Sequence, residues 1–177
     1  MKIRKATLND IKDISRIHAL SWKSAYKGII SQQYLDDLQE DFWVSAFQFW
    51  IEGNFLTVQI ILDDQKPIGC VSYGKSRDDK LPDWGEVVSI YLLPEYFASG
   101  NGQRLFDAAL SELKEAGYKN IYLWVLKENH RARKFYEKNG FRCYQDECAF
   151  EIMGRKYIDI RYIYSFDKPE VSIVYGR

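Results

Sequence analysis

An apolar stretch that ends at a proline, followed by two closely spaced glycines, is the feature that most constrains this chain. Residues 87–93 are mostly apolar, Pro94 follows, and Gly100 and Gly102 open a helical pattern. Such a strand–loop–helix turn leaves backbone N–H groups free at the helix start, where the helix dipole is positive. Glycine lacks a Cβ, so a ligand can approach the backbone closely. The pattern predicts an anion site suited to a phosphorylated ligand.

Two familiar nucleotide motifs do not fit this loop. No Gly-Lys-Ser/Thr follows the glycines, which excludes a P-loop. The third glycine of the dinucleotide fingerprint is missing, and no evident βαβ unit precedes the loop. Taken alone, the Asn101-Gly102 pair is equally compatible with an ordinary turn. A second feature is therefore needed to decide what the loop binds.

Length, charge and cysteine content exclude several classes of protein. A chain of 177 residues is expected to form one domain, here residues 1–166, with residues 167–177 as a C-terminal tail. Lys+Arg and Asp+Glu both number 25, so no bulk charge favours a nucleic acid or a membrane. Three cysteines without CxxC spacing indicate reduced thiols and a cytoplasmic protein. His18 and His130 have no partner at ligand spacing, so no metal is expected.

Hydrophobic periodicity predicts a chain in which strands and helices alternate. We expect helices at residues 7–22, 31–53, 100–117 and 130–139. We expect strands at residues 2–6, 54–62, 67–74, 85–93, 120–126, 141–150 and 156–166. Residues 171–175 are apolar enough to form a further short edge strand. This order indicates a single α/β domain with a mixed sheet.

The second informative segment runs from Asn129 to Phe141 and reads N-H-R-A-R-K-F-Y-E-K-N-G-F. With the glycine loop before it, the chain resembles the GNAT superfamily of acetyl-CoA-dependent N-acetyltransferases over roughly residues 2–165. Residues 21–30, followed by Tyr34-Leu35, resemble a bacterial subgroup that includes polyamine acetyltransferases. The resemblance implies an α/β (α+β) fold, with a mixed, mostly antiparallel six- to seven-stranded sheet flanked by about four helices.

Site residues carry over from the family by position. The resemblance implies that acetyl-CoA, the acyl donor, is bound by Leu92, Leu93, Phe97, Ala98, Ser99, Gly100, Asn101, Gly102, Gln103, Asn129 and Tyr136. Tyr136 matches the general acid that protonates the leaving thiolate, and the N–H of Leu92 matches the oxyanion donor. Phe97 departs from the family pattern, where a polar residue is usual, and Asn101 stands where an apolar one is common. We expect these two changes to weaken donor binding without abolishing it.

The general base is predicted from strand alternation. Glu86 and Leu92 are an even number of residues apart, which predicts one face of one strand. A glutamate at this position is the base in histone-modifying members of the superfamily. The alternative is that Glu86 only marks the exposed start of the strand. Asp83, Glu128 and the hydroxyl of Tyr91 are further options.

The acceptor is expected to be a primary amine, such as a polyamine, bound by Trp22, Tyr26 and Tyr34. Phe42, Trp43, Phe47 and Trp50 are further candidates for this wall, although ordinary core packing is the favoured explanation for any single one of these aromatic residues. An acidic cluster could attract a polyamine or could be a solvated helix face; it comprises Asp36, Asp37, Glu40 and Asp41. A protein or peptide N-acetyltransferase and a non-catalytic acyl-CoA sensor remain alternatives, and a homodimer is possible.

Overall fold

A computed structural model describes residues 1–167 of the chain. Five helices are present in this range: α1 (Ile11–Ala25), α2 (Gln32–Asp37), α3 (Val44–Glu52), α4 (Asn101–Glu115) and α5 (His130–Lys138). The strands are β1 (Lys2–Lys5), β2 (Thr57–Asp63), β3 (Lys66–Lys75), β4 (Gly85–Leu92), β5 (Asn120–Leu126), β6 (Arg142–Ile152) and β7 (Arg155–Ser165). The predicted edge strand at residues 171–175, and the tail beyond residue 167, lie outside the described residues.

The seven strands form one sheet in the order β1-β2-β3-β4-β5-β7-β6. Its neighbouring strands run antiparallel, except that β4 and β5 are parallel. The predicted fold class, a mixed and mostly antiparallel sheet with flanking helices, is confirmed.

The predicted helix at residues 31–53 was wrong, because the chain breaks between α2 and α3. Leu38 is extended, with ψ 116°, and ends α2. Ser15 of α1 reaches the break: its hydroxyl donates to the Glu40 carbonyl at 2.7 Å and accepts from the Trp43 N–H at 3.0 Å. A tertiary contact thus satisfies backbone groups that a continuous helix would have paired internally.

Helices cover both faces of the sheet. The Leu92 side chain lies on the α4 side, where it is 3.5 Å from the place a Cβ of Gly102 would occupy. The hydroxyl of its neighbour Tyr91 accepts a hydrogen bond from Trp22 of α1 at 3.0 Å. Successive side chains on a strand point to opposite faces, so α1 and α4 sandwich the centre of the sheet. Phe106 of α4 packs edge-on against Phe135 of α5, with ring centroids 5.2 Å apart.

β4 and β5 separate soon after they begin. Their pairing consists of Gly85 with Ile121 and Glu86 with Tyr122. Beyond these pairs the strands diverge, and the backbone groups of β4 that face β5 have no ladder partner there. This divergence leaves an opening in the middle of the sheet, and the candidate active site lies in that opening.

Candidate active site

A cleft of about 760 Å³ occupies the opening between β4 and β5. The loop before α4, the last residues of β4 and β5, and α5 line one part of it. Residues of α1, β6 and β7 line another part. The two sequence segments that stood out, around Gly100 and around Asn129, therefore meet at a single cavity.

The glycine loop presents backbone N–H groups to this cleft. Gly100 has φ +81°, a left-handed conformation that glycine adopts freely, and it forms the N-cap of α4. The first intrahelical bond runs from the Arg104 N–H to the Gly100 carbonyl, at 3.2 Å. The N–H groups of Asn101, Gly102 and Gln103 precede it and are left without a partner inside the helix. Gly100 and Gly102 both line the cleft, so this turn can hold an anionic group.

Three of the predicted donor-binding side chains in this loop form hydrogen bonds within the protein. Asn101 is buried and donates to the Ser99 hydroxyl at 2.8 Å, and Ser99 donates to the Tyr96 carbonyl at 2.5 Å. The Gln103 amide accepts from Asn139, the C-cap of α5, at 3.2 Å. These bonds fix the shape of the loop, and Ala98, Gly100, Gly102 and Gln103 line the cleft.

Phe97 also lines the cleft, and a cation from another helix lies over it. The Arg131 guanidinium of α5 is 4.4 Å from the centroid of the Phe97 ring. Arg131 lines the same cleft. Sequence reasoning named Phe97 but missed Arg131, because its charge reaches the loop only through the fold.

The end of β4 turns one amide toward the opening. The Leu93 N–H donates to the Ile68 carbonyl at 2.8 Å and therefore points toward β3. Successive amides along a strand point to opposite sides, so the N–H of Leu92 points toward the cleft. The Ser21 hydroxyl of α1 donates to the Leu92 carbonyl. Leu92 is thus held with its N–H available, while Leu93 is fully buried and turned away.

Tyr136 and Asn129 face the same cavity from α5. The Asn129 side chain caps the helix by accepting from the Ala132 N–H at 3.1 Å. The Tyr136 side chain packs among aromatic rings and is 9% exposed. Among residues 1–167, its hydroxyl has no hydrogen-bond partner. Burial, with the charge of Tyr26 as a smaller cause, raises the pKa of Tyr136, so the hydroxyl keeps its proton at neutral pH.

Residues 16–141 match the family model for acetyltransferases of the GNAT family. The chain belongs to this family. An N-acetyltransferase of Bacillus subtilis that is named as uncharacterized is 32% identical over 158 residues, covering 86% of each chain. The spermidine N(1)-acetyltransferase of Thermoplasma acidophilum is 25% identical, over 89% of this chain and 98% of its own. The crystal structure of a PaiA N-acetyltransferase from T. acidophilum in complex with coenzyme A has a TM-score of 0.68 at 23% identity, over 92% of this chain and 98% of its own.

The protein is an acetyl-CoA-dependent N-acetyltransferase, as the resemblance had indicated. Two of the aromatic residues predicted for its acceptor wall line the cleft, namely Trp22 and Tyr26. The Tyr26 hydroxyl lies 3.2 Å from that of Tyr91, which joins α1 to β4. Tyr34 does not line the cleft; it packs with Trp22 in a separate cluster. Phe47 is fully buried in the core and Phe42 is 58% exposed, so both are explained without an acceptor.

Glu86 of this GNAT enzyme does not share a face with Leu92. Ser89 pairs with Ser72 but Val87 pairs with Tyr73, which makes Val88 the extra residue of a β-bulge. One inserted residue reverses the alternation, so the expectation of a shared face fails.

The Glu86 carboxylate is also fully engaged. It is 2% exposed and accepts two bonds from the Arg77 guanidinium, at 2.7 and 2.9 Å, and one from the Tyr122 hydroxyl at 3.0 Å. Its role as general base stays a prediction. Of the other options, Asp83 and Glu128 are exposed, and the Tyr91 hydroxyl is held by Trp22 and Tyr26.

Asp159 of β7 is a cleft residue of the acetyltransferase that sequence reasoning missed. It is half-buried. Desolvation, followed by the negative charge of Glu128, raises the pKa of Asp159 to about 6. The available signal was a carboxylate between Ile158 and Ile160, the one acidic residue of β7.

Residues 1–167 contain no group of three or more His, Cys, Asp or Glu side chains arranged to hold a metal ion. Among the helices in the same range, none is long and apolar enough to cross a membrane.

Proposed function

We propose that this enzyme transfers the acetyl group of acetyl-CoA directly to the primary amine of a small molecule, such as a polyamine. The observation that carries the proposal is one cavity lined by the glycine loop, the end of β4, Tyr136 and an aromatic wall from α1. Donor and acceptor can occupy such a cavity together, so no acyl-enzyme intermediate is required.

The donor's charged end fits the start of α4. A Cβ at Gly100 would meet nothing within 4 Å, and one at Gly102 would meet only Leu92 at 3.5 Å. Glycine at position 102 is therefore not required by packing inside the chain. A pyrophosphate lying against the N–H groups of this turn explains its use, since only glycine allows such close approach. Arg131 supports the same placement by adding a positive charge beside Phe97.

The reacting end of the donor belongs between Leu92 and Tyr136. The Leu92 N–H would stabilise negative charge on the thioester oxygen, an effect worth about 3 kcal/mol per donor in acyl transfer. The amine attacks the carbonyl carbon, the C–S bond breaks, and the Tyr136 hydroxyl protonates the thiolate.

The acceptor arrives as an ammonium ion and must lose a proton before it attacks. A free alkylamine with a pKa near 10.4 is only about one part in 2,500 neutral at pH 7. Glu86 remains the sequence-based candidate for the base. Its two bonds from Arg77 weaken that candidacy, because they occupy both carboxylate oxygens, one of which would have to accept the proton.

The small-molecule acceptor is supported by two independent facts. The relative from T. acidophilum is named as a spermidine acetyltransferase. Trp22 and Tyr26 place aromatic faces in the cleft, where they can pack on the methylene groups of an alkylamine and on its cation.

The test is release of free thiol from acetyl-CoA across a panel of amines: spermidine, spermine, lysine, aminoglycosides and short peptides with free N-termini. We expect turnover with spermidine or spermine. Turnover confined to peptides would replace the small molecule with a protein acceptor. Calorimetric binding of acetyl-CoA without turnover on any amine would favour an acyl-CoA sensor.

A further inference from the structure

We propose that Asp159 binds the ammonium group of the acceptor, which makes the acceptor an alkylamine that enters the cleft as a cation. The inference rests on the proposed function and specifies its substrate class. Three observations carry it: the position of Asp159, its lack of a partner, and the surfaces beside it.

The strand pairing places Asp159 beside the point where β5 ends. Its backbone pairs with Leu126 of β5 and with Cys148 of β6. Asn129, which caps α5 and faces the cleft, follows Leu126 closely in the chain. The carboxylate lines the same cavity as Tyr136 and Tyr26, so a ligand that touches it is within the space where the reaction occurs.

Several other carboxylates of the protein have basic partners. Arg161 pairs with both Asp78 and Asp146, Lys127 pairs with Glu147 at 2.6 Å, and Arg77 pairs with Glu86. Among residues 1–167, no hydrogen bond or ion pair engages the Asp159 carboxylate.

The neighbouring charge that acts on the Asp159 carboxyl is also negative. Glu128 opposes the ionisation of Asp159. A half-buried carboxylate beside a second carboxylate is electrostatically unfavourable until a cation joins it. The ammonium ion of the acceptor can be that cation, because Asp159 is the one carboxylate among the described residues that line the cleft.

The walls beside Asp159 suit an alkyl chain. Phe150 of β6, Trp22 and Tyr26 line the cleft with it. Aromatic faces attract ammonium groups and pack on methylene groups, so a chain of carbons between two amines can lie along this wall. Neutral and anionic acceptors gain no charge attraction from Asp159.

The test compares Asp159→Asn with Asp13→Asn, an equal change of charge at an exposed carboxylate of α1 outside the cleft. For the best amine of the panel, Asp159→Asn is expected to raise the acceptor KM by about tenfold, as loss of a charged partner does. The Kd for acetyl-CoA should stay within about twofold, and Asp13→Asn should change neither constant by more than that. An acceptor KM unchanged in Asp159→Asn would overturn the proposal, as would an equal loss of acetyl-CoA affinity.

A binding measurement separates this inference from the proposed function. Binding of spermidine and of butan-1-ol to the enzyme loaded with coenzyme A is followed by saturation-transfer NMR. We expect spermidine to bind wild type, to lose most of its signal in Asp159→Asn, and to bind more strongly than the alcohol. That result upholds the ammonium site even if no amine in the panel is acetylated. Equal binding of spermidine to both proteins, or to neither, would refute it.

Discussion

The guanidinium of Arg131 stacks over the ring of Phe97, 4.4 Å from its centroid, and so joins α5 to the loop that precedes α4. Phe97 stands where a polar residue is usual in the family pattern. An aromatic residue can stand at this loop position because Arg131 of α5 supplies a positive charge beside it. A guanidinium placed over an aromatic ring keeps its N–H edges free for a phosphate.

Replacing Arg131 with alanine is expected to weaken acetyl-CoA binding by about fivefold, the size of one partly exposed ion pair. The loss should shrink at high salt, because salt screens exposed charges. Calorimetric titration at two salt concentrations measures both effects. Lys134→Ala removes an exposed charge from the same helix and serves as the control. An unchanged Kd for Arg131→Ala would remove this residue from the donor site.

Tyr136→Phe is expected to lower kcat by about tenfold or more, since it removes the proton donor to the leaving thiolate. The Kd for acetyl-CoA should change by less than about threefold, because the ring that packs in the cleft is retained. Steady-state kinetics with the best amine, together with calorimetry, checks both values. A folded variant with unchanged kcat would exclude Tyr136 as the general acid.

Gly102→Asp is expected to abolish acetyl-CoA binding by adding bulk and negative charge where the pyrophosphate lies. Gly102→Ala adds only a Cβ, which meets Leu92 at 3.5 Å, an ordinary contact. The alanine variant should therefore melt like wild type and still bind the donor less tightly. Thermal denaturation and calorimetry test the pair. The loop assignment fails if the aspartate variant binds acetyl-CoA normally.

Glu86→Gln is expected to lower the free energy of unfolding by about 2 kcal/mol, because Arg77 and Tyr122 lose a charged acceptor. Glu147→Gln, in an ion pair that is exposed on both sides, should cost less than about 1 kcal/mol. Urea denaturation measures both. If kcat of Glu86→Gln drops by about a hundredfold at unchanged stability, Glu86 is the base after all.

Asp159→Asn is expected to stabilise the fold at neutral pH. In the folded chain the pKa of this carboxyl is about 6, which is above its ordinary value of 3.8. The folded state therefore binds more protons between roughly pH 4 and 6, so this group's contribution to stability rises as pH falls through that window. The variant should melt a few degrees above wild type at pH 7.5 and close to it at pH 4. Equal shifts at both pH values would contradict this.

The ionisation of Asp159 also predicts how kcat/KM for the acceptor amine depends on pH. Asp159 faces Glu128, Tyr26 and Cys148, and only its ionised form attracts an ammonium ion. For wild type, kcat/KM for the amine should fall as pH drops through about 6. The profile of Asp159→Asn should lack that step.

The sequence was sufficient for the order of the strands and for the two helices that follow the glycine loop and Asn129. Gly100 and Gly102 sit at a helix start because their local pattern specifies it. Asn129 and Tyr136 follow from the spacing within one helix. These features depend on residues close together in the chain, where periodicity and capping rules apply.

The features that escaped prediction depend on contacts across the chain. The break between α2 and α3 relies on Ser15, and the face of Glu86 relies on a bulge that no residue type at Val88 announces. Arg131 and Asp159 reach the cleft only because α5 and β7 are folded against it. A pattern along one strand or helix carries no information about such neighbours.

The separation of β4 from β5 makes the sheet two smaller sheets that share a seam of two residue pairs. Leu92 belongs to the half that contains β1–β4, and Asn129 follows the last residue of β5 in the other half. A molecule that contacts both residues bridges the halves, and its binding free energy then adds to their cohesion by mass action. Amide hydrogen exchange along β4 and β5 should therefore slow on donor binding.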